Sequence, residues 1–141
     1  MDIIEKQKSD FILPEEIQRC YEETFDLSEF QGFKYAFSDP YYKPCDIEAM
    51  ASVLYSDQIQ NQKYELHLFD CDDFTFALMG AFHHDRVCAA MPIFITRIRR
   101  PSGVEHGLIT FYYQKKIVAI EAVSDAAYWT PRNWKLQLLL G

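Results

Sequence analysis

The chain has no apolar run approaching the roughly 20 residues needed to cross a bilayer. At its start, Met1-Asp2-Ile3-Ile4-Glu5-Lys6 places charges where a secretory signal needs a continuous apolar segment. It is also short of positive charge: Lys and Arg number 14 against 21 Asp and Glu, a net charge of −7. No broad basic face is available to neutralise phosphates, which argues against nucleic acid and anionic membrane surfaces as partners. The one basic cluster, Arg97-Ile98-Arg99-Arg100, precedes Pro101-Ser102-Gly103 and reads as a solvated hairpin end. There is no CxxC pair. Cys20, Cys45, Cys71 and Cys88 are irregularly spaced, which favours free thiols in a reducing compartment over a disulfide framework. No internal repeat, low-complexity tract or Gly/Ser linker divides the chain. Together these absences predict one soluble, cytoplasmic domain over residues 1–141, with the polar residues 1–10 loose.

What is present suits a packed core. Of the 141 residues, 49% are hydrophobic and 16% aromatic, and a chain of this size buries roughly two thirds of its unfolded surface. Pro14 to Tyr21 reads as a short helix with proline in its first turn and Glu15 and Glu16 at its positive end. Asp46 caps a second helix, over which Ile47, Met50, Ala51 and Leu54 recur at helical spacing. A third begins near Cys71, with Phe74, Ala77, Leu78 and Ala81 as its stripe and Phe76 and Phe82 widening it, so it belongs at the centre of the fold. The period then changes to two. Ile93–Ile98, Val104–Tyr113 and Lys116–Val123 read as consecutive strands, and the Trp129 to Leu140 segment docks back. The expected class is therefore α+β, a central helix carrying Cys71 packed on an antiparallel β-meander.

Three residues suggest chemistry. Cys71 stands at a helix start, where backbone N–H groups favour a thiolate, while Asp70, Asp72 and Asp73 oppose it. These carboxylates cap the helix, point into solvent or hold a cation. Glu121 sits in an apolar run, Ile117 to Val123, where a carboxylate needs a partner. With a two-residue turn at Gln114-Lys115, Tyr113 faces Lys116, His106 faces Val123, and Glu121 becomes the diagonal neighbour of His106. Such a neighbour lies roughly 7 Å away or somewhat less between Cβ atoms. A turn one residue longer sends Glu121 to the other face. Thiol, imidazole and orienting acid in this order follow the logic of a Cys-His-acid hydrolase.

The pattern Phe69-Asp70-Cys71-Asp72-Asp73-Phe74, then His106-Gly107, then Ile120-Glu121 before Ser124-Asp125, resembles the papain-like cysteine peptidase domain at the C-terminus of the fungal chimeric agglutinins and its small phage and bacterial relatives. The resemblance implies a papain-like fold, Cys71 as nucleophile, His106 as base and Glu121 as orienting acid. It places Tyr64 where the family tends to carry Trp, as a substrate-binding residue, and implies calcium as the cofactor. An oxygen-rich corner of Asp72, Asp73 and Asp125 suits such a hard cation, although no EF-hand spacing is present.

Plainer readings stand beside these. Cysteine is often a small core hydrophobe, and Glu121 is equally a salt-bridge partner for Arg97 or Arg99. His83-His84-Asp85 with Cys88 suggests zinc, but adjacent helical His residues project about 100° apart, a poor ligand geometry. Tyr41, Tyr42, Tyr64, Trp129 and Trp134 line a groove or simply cover the core. The leading expectation is a cysteine hydrolase of peptidase or isopeptidase type, acting on a protein or peptide substrate with a helix-start N–H binding the oxyanion. The alternatives are a catalytically inactive papain-like module that binds a partner protein, of phage or mobile-element origin, and a calcium-stabilised structural domain.

Overall fold

The computed structural model describes residues 11–56, 61, 63–65 and 70–141. The expectation that residues 1–10 are loose lies outside the described residues, as does Phe69 of the cysteine motif. Helix α1, Pro14–Thr24, turns Ile17, Cys20 and Tyr21 inward, a spacing of three and one that marks a single buried stripe. It runs past the expected Tyr21 to Thr24, whose hydroxyl donates to Cys20 O at 2.7 Å. Helix α2, Ile47–Ser56, is capped by Asp46, whose Oδ1 accepts from Ala49 N at 3.1 Å. Helix α3, Cys71–His84, opens on a capping box formed by Asp70 and Asp73 and buries Phe74, Thr75, Leu78, Met79 and Phe82.

Five strands follow: β1 Ile93–Arg99, β2 Glu105–Tyr113, β3 Lys116–Glu121, β4 Ala126–Trp129 and β5 Lys135–Leu140. They form one antiparallel sheet in the order β4-β3-β2-β1-β5. The β2–β3 turn is two residues long, with Gln114 and Lys115 both left-handed at φ 49° and 64°. Tyr113 accordingly pairs with Lys116, and Ile109 with Ile120. The chain then closes the far edge: β5 pairs with β1, with a register shift between Arg97 and Ile98.

The sheet is covered on both faces. On one, α1 presents Ile17, Tyr21 and Phe25 to Phe94, Leu108 and Ile117. On the other, Met50 of α2 and Phe74, Leu78 and Phe82 of α3 pack on Ile109 and Ile120. This corrects the expected α+β plan of one central helix on a meander. The reason is visible in β2, where residues 107–112 are buried without interruption; a strand buried on both faces reads as a continuous apolar run. Three hydroxyls cross the α1 face. Tyr21 Oη lies 2.7 Å from Thr110 Oγ1, which lies 2.7 Å from Thr96 Oγ1, and Thr96 donates to Phe94 O at 3.2 Å.

Candidate functional site

The start of α3 rests on the start of β2. A Cβ on Gly107 would come within 2.3 Å of Asp72 Oδ1, so glycine is what lets the helix approach this closely. Asp72 accepts from Arg97 Nη1 of β1 at 3.0 and 3.2 Å. Asp73 Oδ2 accepts from Asp70 N at 3.1 Å, and Asp70 Oδ1 accepts from Asp72 N at 3.3 Å. Capping and ion pairing thus account for all three carboxylates around Cys71. Of the four free cysteines, Cys71 alone is not buried. Tyr64 is exposed and stacks on Phe74, ring centroids 6.1 Å apart.

His106 and Glu121 meet as the register requires. His106 Nε2 donates to Glu121 Oε2, Tyr128 Oη donates to Oε1, and Arg100 Nη2 donates to Oε1 at 3.3 Å. Burial pushes the Glu121 carboxyl up, but the His106 and Tyr128 hydrogen bonds and the neighbouring positive charges outweigh it and hold it below the ordinary range. The Tyr128 phenol is raised, first by burial and then by the Glu121 carboxylate. Strand alternation places this cluster on the α1 face: His106 pairs with Ile98, which belongs to the α1-side core along with Leu108 and Ala119. Helix α3 packs on the opposite face. Among the described residues no hydrogen bond joins the Cys71 thiol to His106. The structure therefore joins His106 to Glu121 and does not link Cys71 to them in this way.

The expected metal ligands are dispersed among other duties. Asp125 lies in the turn after β3 at φ 60°, its N–H donating to Glu121 O at 2.7 Å. Asp72 is committed to Arg97 and Asp73 to the helix cap. Among the described residues no group of three or more His, Cys, Asp or Glu is arranged to hold a metal ion. The zinc reading meets the same finding: Asp85 accepts from Val87 N and Cys88 N, and His83 and His84 are exposed.

Two concavities share Trp129, which is 57% exposed on edge strand β4. One is an open apolar groove of about 540 Å³ between α2 and the sheet, walled by Met50, Leu54, Phe111, Tyr113 and Val118. The other is a cleft of about 270 Å³ where α1 meets the β2–β3 turn, lined by Glu23, Thr24, Lys115, Lys116, Thr130 and Arg132. Lys116 Nζ lies 4.8 Å from the Trp129 ring centroid. Thr130 Oγ1 is buried, with no hydrogen-bond partner among the described residues. The sequence marks Trp129 as an aromatic outside a core run, and the Lys pair as a turn; it carries no signal that Glu23 and Arg132 join them.

No protein-family model matches the chain, and no curated protein matches it in sequence. Solved structures do match in fold. One is titled "PSL1a-E64 complex", with a TM-score of 0.75 and 16% identity over 94% of this chain and 51% of that one. A second is Polyporus squamosus lectin bound to the human-type influenza-binding epitope Neu5Aca2-6Galb1-4GlcNAc, with a TM-score of 0.74 and 15% identity over 94% of this chain and 50% of that one. The chain thus spans about half the length of the chains it matches, and shares the fold of the matched half.

This likeness corrects the papain-like assignment. The second match is a lectin with a bound glycan. The cysteine-hydrolase reading is corrected with it, as is its inactive, partner-binding alternative. The physical counterpart is the missing hydrogen bond from Cys71 to His106 and the position of His106–Glu121 on the face opposite α3. No helix among the described residues is long and apolar enough to cross a membrane.

Proposed function

We propose that this chain is a carbohydrate-binding domain, with a sugar ring seated against Trp129 and its hydroxyls held by the cleft beside it. The observation that carries this is Trp129 itself: a large ring, 57% exposed, forming one wall of a cleft whose lining, Cys20 and Ile117 apart, is of hydrogen-bonding side chains. A pyranose has an apolar C–H face and a rim of hydroxyls, so it needs an aromatic surface next to donors and acceptors. Trp129 supplies the surface. Lys115, Lys116 and Arg132 donate, and Glu23 accepts. At about 270 Å³ the cleft lies just below the usual range of ligand pockets, roughly 300 to 1,000 Å³, which limits it to a small ligand such as one sugar ring. The fold it shares with a lectin solved with a bound glycan supports the reading.

Titration of a saccharide panel, followed by indole fluorescence, tests it. Trp134 is buried and Trp129 is not, so a bound sugar perturbs emission in the wild type and leaves Trp129→Ala unchanged. A panel with no binder, or full binding by Trp129→Ala, refutes the proposal.

A second reading is favoured by one observation. Cys71 is the only cysteine outside the core, and one chain of this fold was solved in complex with E64. In this reading the Cys71 thiol captures an electrophilic ligand covalently, with Tyr64 flanking it. Mass spectrometry after E64 or iodoacetamide treatment reports it. Burial alone protects the other thiols, so the deciding result is the rate at Cys71: labelling faster than that of a free thiol such as glutathione supports the reading, and an equal or slower rate removes it. Four free cysteines suit a reducing compartment, and we propose the cytoplasm as the location.

A further inference from the structure

We propose that the cleft beside Trp129 prefers an acidic saccharide, one whose ring bears a carboxylate; this rests on the carbohydrate-binding reading and names its ligand class. In a chain of net charge −7, the cleft gathers Lys115, Lys116 and Arg132 against one carboxylate, Glu23. Arg19, one turn before Glu23 on α1, and Glu16, two turns before it, line the adjoining cleft with opposite charges. Among the described residues none of the three cleft cations takes part in an ion pair. The arginines of the 97–100 run are the contrast, since Arg97, Arg99 and Arg100 each hold a carboxylate.

The turn that delivers two of these cations is not built for stability. Both central residues have positive φ, the condition that makes Asn-Gly the favoured pair in such hairpins, and the chain instead places Gln114 and Lys115 there. A strained lysine beside a cleft is a candidate functional residue. Lys116 faces the indole of Trp129, which holds an ammonium beside the surface where a sugar ring would lie. The Glu23 carboxylate and the Thr24 hydroxyl remain for sugar hydroxyls, so the lining fits a hydroxylated anion better than a bare one.

Methyl β-D-glucuronide and methyl β-D-glucoside differ only in the carboxylate, and their affinities for the full chain, by NMR titration at low salt, decide the matter. The glucuronide should bind about fivefold more tightly, as two or three exposed ion pairs allow, and the gap should close in high salt. Lys115→Gln with Arg132→Gln should erase the preference, leaving the two glycosides with equal affinities at whatever level remains, and Trp129→Ala should weaken both. Equal affinities in the wild type overturn the acidic preference and leave carbohydrate binding standing. No binding of either glycoside overturns both. Acetate that binds as tightly as the glucuronide shows an anion site only, and also overturns the proposal.

Discussion

Replacing Thr110 with Val removes the middle of the buried hydroxyl chain, and the bond directions determine what that costs. Thr96 gives its proton to Phe94 O, so the proton between Thr96 and Thr110 comes from Thr110, and the one between Thr110 and Tyr21 comes from Tyr21. Tyr21→Phe therefore deletes a donor and leaves Thr110 with one unfilled lone pair, a loss of about 1 kcal/mol. Thr110→Val does more: it strands the Tyr21 proton without an acceptor where Tyr21 is 0% exposed and leaves Thr96 an unfilled lone pair. Its cost should be about 2–3 kcal/mol. The double variant has no stranded phenol, so it should be no less stable than Thr110→Val, a coupling of about 1 kcal/mol. Equilibrium unfolding in urea, with the m-value unchanged, reads all three. Equal costs for the two single variants, or strictly additive costs, would refute the directed chain.

Further outcomes follow from other contacts. Gln114→Asn with Lys115→Gly should stabilise the chain by about 1 kcal/mol in the same assay, because both positions are left-handed, while weakening any acidic ligand. The Glu121 carboxyl is held below its ordinary range, so its stabilising contribution is full above the usual carboxylate pKa of roughly 4.3 and is lost as pH falls through the depressed value. Glu121→Gln should flatten that acid limb in melting curves taken from neutral pH downward; an unchanged limb would refute the assignment. Gly107→Ala forces Asp72 off Arg97, since the new Cβ meets Oδ1 at 2.3 Å. It should cost about 1–2 kcal/mol by thermal melting, with most of the loss absent in an Asp72→Ala background.

The helices and the β2–β3 register were open to reading because their causes are local. Capping by Asp46 and Asp70, proline in the first turn of α1 and a two-residue turn act within a few residues of chain. Glu121 announced a polar partner by sitting in an apolar run, and the diagonal register supplied His106. Tyr128 and Arg100, which complete that cluster, had no such signal, since β4 and the end of β1 reach Glu121 only through sheet order and side-chain length. The resemblance around Cys71 misled because the same short pattern, Asp-Cys-Asp-Asp before an apolar stripe, is also what a capping box and an Asp72–Arg97 pair require.

By itself the sequence placed the three helices and the first three strands to within a few residues, and a two-residue β2–β3 turn made Glu121 the diagonal neighbour of His106. These follow from period, capping and turn length, all short-range physics. Tertiary structure alone decided that β5 returns beside β1, that α1 and α3 cover opposite faces, and that Cys71 forms no hydrogen bond with His106. It alone brought Glu23 of α1 to Lys115, Lys116, Trp129 and Arg132 in one cleft. Those residues lie about a hundred positions apart, and what joins them is the burial of two sheet faces, to which no single segment's pattern refers.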